Sequence, residues 1–549
     1  MGKKLLALAI SGALLSACGS DDNNSSKNDN KDGAQSAPAA PVTAKATGAI
    51  TKIGQYQSGI YDDGGAEIVS FDASTDKLFV VNSGDATIDV LDLKDPANPQ
   101  KLTTIDVKAA SVNGFTAGGA NSVAVKNGKL AVAVENDNKQ GNGQVYFYNS
   151  DSMAFIGAAA TGALPDMVTF TPNGEYVLSA NEGEPNDAYD NDPEGSVSII
   201  KVSDMTVRTA GFSEFNQDKQ SLIEKGVRIG GPAGTSVAQD LEPEYITVDR
   251  DNKTAYVALQ ENNAIAVVNI ADAEVTSVLP LGYKDHSKAG NGLDANKNDK
   301  AANIELLPIW GMYQPDSIAS FMANDGKTYI VTANEGDGRD YDGFKDEADL
   351  KDLNLDAAAF SSAMRTKLGD KDGLGDLTVA NNIGDSDNDG DFDKVYAYGA
   401  RSFSIWNSNI QLVFDSGDQF EQKVKEVAPD NFNASNDKNK IDNRSDNKGP
   451  EPEGLALATL GDQTFAYIGL ERQGGIMVYN ITDPALPEFV QYFSDRNFAV
   501  EADENNAAAA GDLAPEGMLF ISAGDSPSGK PLLVVGNEVS GTTSVYEIR

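Results

Sequence analysis

The 549-residue sequence holds one cysteine, Cys18, and one histidine, His286. A lone thiol excludes an internal disulfide and any zinc site built on several thiolates. A lone histidine leaves a Ser-His-Asp hydrolase, a His-ligated zinc site or a phosphohistidine mechanism a single residue to work with. No Gly-x-Ser-x-Gly occurs. Basic residues are scarce: 43 Lys and Arg stand against 83 Asp and Glu, a formal charge of −40. That balance argues against nucleic acid and against direct docking on anionic lipid. It suits a secreted protein that binds cations, although plain solubility or a salty habitat would give the same excess. No helix-period stretch recurs between the apolar runs, which argues against an α/β fold.

The one long apolar run, Leu5 to Leu15, follows Lys3 and Lys4 and is too short to span a bilayer. It ends in Leu-Ser-Ala-Cys, which resembles a bacterial lipobox. The plain alternative is an ordinary signal peptide that contains a cysteine. Residues 1–18 are therefore expected to be a lipoprotein signal peptide with Cys18 as the lipidated residue. Acyl chains anchor by about 0.8 kcal/mol per buried methylene. Gly19 after the cysteine favours the outer membrane, reached through the lipid, with the protein periplasmic or cell-surface exposed. Residues 19–45 hold little to bury and read as a disordered tether reaching roughly 25–30 Å. Residues 46–549 read as one domain.

Seven segments repeat one pattern: "GAEIVSF" (65–71), "GANSVAV" (119–125), "LPDMVTF" (164–170), "EPEYITV" (242–248), "QPDSIASF" (314–321), "EPEGLAL" (451–457) and "APEGMLF" (514–520). Each is followed by a Gly or Asn turn and a second apolar strand, and most by a third. Short strands, tight turns and a unit of about 45 residues predict an all-β, seven-bladed β-propeller. A six- or eight-bladed ring or a pair of sandwiches are the alternatives. The last repeat stops at its third strand, and "GAITKIGQY" (48–56) is expected to supply the fourth. Long insertions fall near 211–242, 282–314, 341–394 and 416–450. The third is expected to be partly helical over 355–368.

In a propeller the start of strand one and the end of strand two share a face near the channel. Glu67, Asp166, Glu244, Asp316, Glu453 and Glu516 should then share a rim with Glu135, Glu182, Glu261, Glu335, Glu471 and Glu538. "SANEGEPND" (179–187) and "TANEGDGRD" (332–340) are near-copies at that place. Crowded like charges raise one another's pKa unless a cation, backbone N–H groups, or Arg339, Arg444 and Arg472 compensate them. Strand capping and interblade salt bridges are the plainer reading of the same residues.

"DSDNDGDFD" (385–393) places Asp385, Asp387, Asp389 and Asp393 at positions 1, 3, 5 and 9, with Asp391 between them and Gly390 at position 6. Alternating hard oxygens around a glycine turn predict one calcium ion. Tyr396 stands where an EF-hand has Glu, so this is not an EF-hand; an acidic solvated turn is the alternative. Asp294, Asn296 and Asn298 form a weaker calcium pattern. "GDSPSGKP" (524–531) resembles a P-loop, but Pro531 replaces the Ser or Thr, and a turn is expected.

The strings "ANEGEPND", "GMYQPDSIASF", "TANEGDGRDY", "GDSDNDGDFDKVYAYGARSFSIW" and "LAPEGMLFISAGDSPSGKPLLVVGNEVSGTTSVYEI" resemble the choice-of-anchor I domain family, over roughly 50–549. That group also contains the mesenchyme-specific cell-surface glycoprotein. The resemblance implies an extracellular protein, with the lipobox as its anchor. Some members carry an alkaline phosphatase label, but no catalytic residue set comes with the resemblance. This chain lacks the histidine ligands of conventional alkaline phosphatases. Two functions follow. One is a calcium-stiffened surface module that binds an extracellular ligand or adheres. The other is a calcium-dependent phosphoesterase in which Arg339, Arg444, Lys448 and Arg472 cradle phosphate.

Overall fold

Asn127 and Gly128 sit between strands Ala117–Lys126 and Lys129–Asn136, with φ of 51° and 75°. Two consecutive left-handed residues make the type I′ turn whose twist matches that of its strands. Repeated local turns of this kind fold the chain into antiparallel sheets. The computed structural model describes residues 45–549, and Ala46–Arg549 form one compact unit. Cys18, the segment read as a signal peptide and the tether up to residue 44 lie outside the described residues.

The architecture is all-β, with seven four-stranded sheets, one five-stranded sheet and one two-stranded hairpin. The four-stranded sheets start at Val69–Asp72, Ala117–Lys126, Pro165–Phe170, Pro243–Val248, Ile318–Met322, Pro452–Leu460 and Pro515–Ile521. Each starting strand lies at one edge of its sheet. Both faces of each sheet are apolar and pack on neighbours. Phe79 and Val132 fill the space between the first and second sheets, and Phe147 and Val177 that between the second and third. Leu178 meets Val257, Ile265 meets Trp406, and Phe403 meets Tyr479 in the next three interfaces. Tyr467 and Val535 join the sixth sheet to the seventh, and Val545 and Val80 join the seventh back to the first. Each such side chain contributes roughly 1.5–3 kcal/mol on burial.

The seventh sheet takes its fourth strand from the other end of the domain. Ile50–Gln57 pairs antiparallel with Thr542–Ile548, from Ile50 opposite Ile548 to Gln57 opposite Thr542. Asp512, 6 % exposed, ties the two together. Its Oδ1 accepts hydrogen bonds from Gln55 (2.6 Å) and Thr542 (2.8 Å). Its Oδ2 accepts from Lys52 (2.7 Å), Ser544 (2.7 Å) and Tyr546 (3.0 Å).

The insertions are more ordered than the loops expected. Segments 282–314 and 341–394 share the five-stranded sheet, in which Trp310–Met312 runs parallel to Tyr396–Ala397. The helix expected over 355–368 is confined to Ser362–Leu368. Ser361 caps it by accepting from the Met364 N–H, while Asp356 accepts from Ala358 and Ala359 and holds the preceding residues in a turn. Segment 416–450 carries a helix, Gln419–Val427, whose Phe420 and Val424 enter the core between the fifth and sixth sheets. Among the described residues no helix is long and apolar enough to cross a membrane.

Removing the Asp512 carboxylate strands buried donors at the junction, each costing about 1–3 kcal/mol. Asp512→Ala should lower the melting temperature by several degrees and speed amide exchange across 50–57. Asp251→Ala, at an exposed turn, is the control and should change neither.

Candidate functional site: a carboxylate-lined centre

A short device recurs where four of the seven first strands begin. Leu164, Gln314, Glu451 and Ala514 have φ of 47°, 39°, 54° and 58°, and each precedes a proline. Non-glycine residues in the left-handed region are strained, and proline disfavours helical backbone before it. After the proline the strand register shifts, between Pro165 and Met167, Pro452 and Leu455, and Pro515 and Met518. The fourth sheet shows the same shift between Pro243 and Ile246. A bulge re-aims the side chain at its apex. The apex residues are Asp166, Glu244, Glu453 and Glu516. Asp166, Asp316, Glu516, Tyr245 and Asn121 line one cavity of about 70 Å³, so first strands from five sheets converge there. Asn121 stands in the second sheet where the others carry an acid.

The repeated Asn-Glu-Gly closes the second strand. Asn181 donates to Ser196 (3.1 Å) and Ser198 (3.0 Å) on the third strand. Asn334 donates in the same way to Ser402 (3.2 Å) and Ser404 (2.8 Å). These buried amides fix the strand end, and the next residue, Glu182 or Glu335, points onward. Gly336 has φ 95°, and a Cβ there would lie 2.1 Å from the Gly399 nitrogen. Only glycine allows the two chains to pass so closely.

The carboxylates meet two different environments. On one side Glu335, Glu451 and Glu471 offer oxygens within 4.8 Å of one another. Three cations answer them. Lys448 lies 2.7 Å from Glu335 and 3.3 Å from Glu451. Arg444 lies 2.6 Å from Glu451, and Arg472 lies 3.4 Å from Glu451 and 3.1 Å from Glu471. Burial pushes the Glu451 carboxyl up, but Lys448, Arg444 and Arg472 outweigh it and hold it below its ordinary value. Arg339 is buried and bonds Glu242 at 2.5 Å and the Asp240 carbonyl at 2.9 Å.

Elsewhere compensation is thin. Burial first, then neighbouring acids, push Glu244, Asp316, Glu453 and Glu516 well above the usual carboxylate range. Burial raises Glu67 to about 8, with Glu538 and Asp166 adding to the rise, although Ser83 donates to it. Asp166 rises to about 7, through burial and then Glu184 and Glu135. Glu182, Glu244 and Glu261 approach within 4.8 Å, as do Asp316, Glu335 and Glu453.

Of the acids read from sequence, Asp166, Asp316 and Glu516 meet at the cavity and Glu182, Glu244, Glu261, Glu335, Glu453 and Glu471 in the triads, while the basic residues singled out face protein carboxylates. Arg339, Arg444 and Arg472 are engaged by Glu242, Glu451 and Glu471. Glu242 and Glu451 were not singled out. Their signal was the doubled "EPE", in which the second acid lines the centre and the first holds a guanidinium. His286 is a buried structural residue: Nδ1 lies 2.6 Å from the Asn291 carbonyl, and burial, then Lys284, lowers its pKa to about 3.

The acidic loop lies between strands Thr378–Ala380 and Tyr396–Ala397. Asp385, Asp387 and Asp393 offer oxygens within 4.8 Å of one another. Asp385 accepts from the Asp389 (3.2 Å) and Gly390 (3.0 Å) N–H groups, and Asp393 from Ser386 (2.8 Å). Asp389 accepts from the Asp391 N–H at 3.2 Å. Gly390, at φ 98°, permits the turn. Asp294, Asn296 and Asn298 form successive turns, with Asp294 accepting from Asn296 (3.0 Å) and Asn303 (2.6 Å), and Asn296 from Asn298 (2.9 Å). Burial raises Asp294 to about 6.

Known proteins resemble this chain to different extents. The β-propeller domain of Cps50 (Swd1) from Myceliophteria thermophila has a TM-score of 0.43 and 9% identity, covering 91% of this chain and 100% of that one. Gigasin-3a of Magallana gigas is 32% identical over 186 residues, 32% of this chain and 65% of that protein. The mesenchyme-specific cell surface glycoprotein of Strongylocentrotus purpuratus is 23% identical over 331 residues, 53% of this chain and 42% of that protein. The chain thus spans less than two thirds of Gigasin-3a and of the cell surface glycoprotein. The profile of the choice-of-anchor I domain matches residues 67–484, which include the first-strand acids from Glu67 to Glu453. With well over half of its 549 residues matched, the chain belongs to the choice-of-anchor I domain family.

Proposed function

We propose that this chain is a lipid-anchored, calcium-binding β-propeller displayed on the cell surface, acting as a binding or adhesion module. The seven four-stranded sheets are its blades, and Ile50–Gln57 completes the last of them. Cys18 carries the lipid, and the outer membrane is the anchoring surface. The extracellular partner meets the face where the carboxylates gather. The cell-surface glycoprotein among its relatives supports the display.

The fate of the basic groups carries this reading. Arg339, Arg444, Lys448 and Arg472, the cradle a phosphoesterase would use, are all held by protein carboxylates. What the centre offers is oxygen, and a surplus of carboxylate oxygen selects a hard cation. The loop at 385–393 offers the same chemistry, with Asp385, Asp387 and Asp393 already gathered.

Calorimetric titration should find calcium bound, and p-nitrophenyl phosphate should not be hydrolysed with or without it. Hydrolysis that depends on calcium would replace this reading with the phosphoesterase. Asp387→Ala with Asp389→Ala should remove one bound calcium and expose 341–394 to protease. Calcium at 100 times its dissociation constant stabilises a folded protein by about 2.7 kcal/mol, so the melting response to chelator should shrink in this variant.

The raised carboxyls also set a pH dependence. Glu67 and Asp166 titrate near 8 and 7 when folded, against about 4.3 and 3.9 when unfolded. Below pH 4 both states hold the proton and the contribution is whole. As pH rises the unfolded state loses its proton first, so stability falls until about pH 8. Glu451, held low, affects only the acid end. In chelator the melting temperature should therefore fall between pH 5 and pH 8, and added calcium should restore more of it at pH 8 than at pH 5.

Anchoring is tested separately. Cys18→Ser should release the protein from membranes into the soluble fraction; a variant that still sediments with membranes in high salt would refute the lipid anchor.

A further inference from the structure

Glu182, Glu244 and Glu261 meet from two neighbouring sheets. Glu182 follows Asn181 at the end of strand Tyr176–Asn181 in the third sheet. Glu244 sits in the bulge after Pro243, and Glu261 lies just beyond strand Thr254–Leu259, both in the fourth sheet. One carboxylate oxygen from each lies within 4.8 Å of the others. Calcium binds oxygens at about 2.3–2.6 Å, so oxygens up to roughly 5 Å apart can touch one ion.

Closeness among acids alone means little, and a second observation bears on it. Glu261 is 7 % exposed, and its Oε2 is buried without a hydrogen-bond partner. Glu244 Oε2 is buried and unpartnered as well. Buried carboxylate oxygens are ordinarily satisfied. Among the described residues no ion pair reaches any of the three. Two guanidiniums stand nearby: Arg339 bonds Glu242, and Arg228 bonds Asp346 and donates to the Glu261 backbone carbonyl at 3.0 Å, so both act on the Glu261 carboxylate only through their fields. The contrast lies in the same molecule: Glu335, Glu451 and Glu471 stand equally close and receive Lys448, Arg444 and Arg472.

We propose that Glu182, Glu244 and Glu261 hold a divalent cation, calcium by the hardness of its donors, at a site separate from the loop at 385–393. The site deepens the calcium-binding reading above and rests on it. Three protein carboxylates leave coordination positions open, which water or an oxygen-rich ligand such as a carboxylate or sugar can fill. The cation does for this triad what Lys448, Arg444 and Arg472 do for the other.

The test is calcium calorimetry on the full chain, with terbium luminescence as a second readout, in four forms. These are the parent, Asp387→Ala/Asp389→Ala, Glu244→Gln/Glu261→Gln, and all four changes combined. The loop variant should still bind calcium, the glutamine variant should lose one ion or at least tenfold in affinity, and the combined variant should lose both. In chelator the glutamine variant should melt at or above the parent, since repulsion is relieved; in calcium it should melt below the parent. That crossover separates lost metal from damaged fold. If the loop variant binds nothing while the parent binds one ion, the triad site is wrong and the calcium reading stands. If the parent binds none, both fail. A glutamine variant with the parent's stoichiometry and affinity also overturns the site.

Discussion

Carboxylates brought together where first strands begin and second strands end are the constraint on which the rest of this structure turns. Two unit charges 4.8 Å apart repel by about 3.5 kcal/mol at an effective dielectric of 20. Folded proteins are stable by only about 5–15 kcal/mol in all. One uncompensated triad of ionised acids would therefore consume much of the margin. The left-handed residues at Leu164, Gln314, Glu451 and Ala514 add strain of roughly 1–2 kcal/mol each. The apolar interfaces between successive sheets supply the opposing stability. They hold the strand ends so firmly that the acids cannot relax apart, and the charge has to be answered in place.

The molecule answers it unevenly, and the insertions explain why. Arg444 and Lys448 come from segment 416–450, and Arg472 follows the second strand of the sixth sheet, Gln463–Leu470. Together they neutralise the Glu335, Glu451 and Glu471 side. Arg339 lies just ahead of segment 341–394 and reaches Glu242, while Arg228 from segment 211–242 bonds Asp346 within it. Arg401 and Glu421 tie segment 416–450 to the fifth sheet at 2.8 Å. The long excursions thus carry the cations that make one part of the centre tolerable. Among the described residues no insertion sends an ion pair to the carboxylates of Glu182, Glu244 and Glu261: Arg228 stops at the Glu261 carbonyl and Arg339 at Glu242.

The sheets were legible in the sequence because their information is local. Alternation of apolar residues and a turn such as Lys126-Asn127-Gly128-Lys129 specify a hairpin within about a dozen residues. The acids that gather at the cavity and in the triads were legible because they repeat. Pairing across long intervals was not. Nothing in 282–314 or 341–394 alone says that Trp310–Met312 lies beside Tyr396–Ala397. The helix over 355–368 was read too long because Asp356 and Ser361 each capture backbone N–H groups, which composition does not reveal. The charge partners were missed for a related reason. Glu451 and Glu453 look alike in sequence, and only the reversal of the chain at a left-handed residue sends one to Arg444 and the other to Asp316 and Glu335.

Asn-Glu-Gly condenses the division of labour. The asparagine is satisfied within its own sheet, by hydroxyls on the next strand. The glycine exists so that another backbone can pass, as Gly399 passes Gly336. Both serve the fold, and replacing either disturbs packing whatever the protein binds. The glutamate between them is different. Glu335 finds Lys448 and Gln260, at 2.7 and 3.0 Å, whereas Glu182 lies with Glu244 and Glu261 and, among the described residues, receives no ion pair. The same three letters are therefore a closed structural unit in one sheet and an open one in another. The difference lies in what the neighbouring insertion delivers, so the chemistry of the centre can change through the loops while the repeating strands stay as they are.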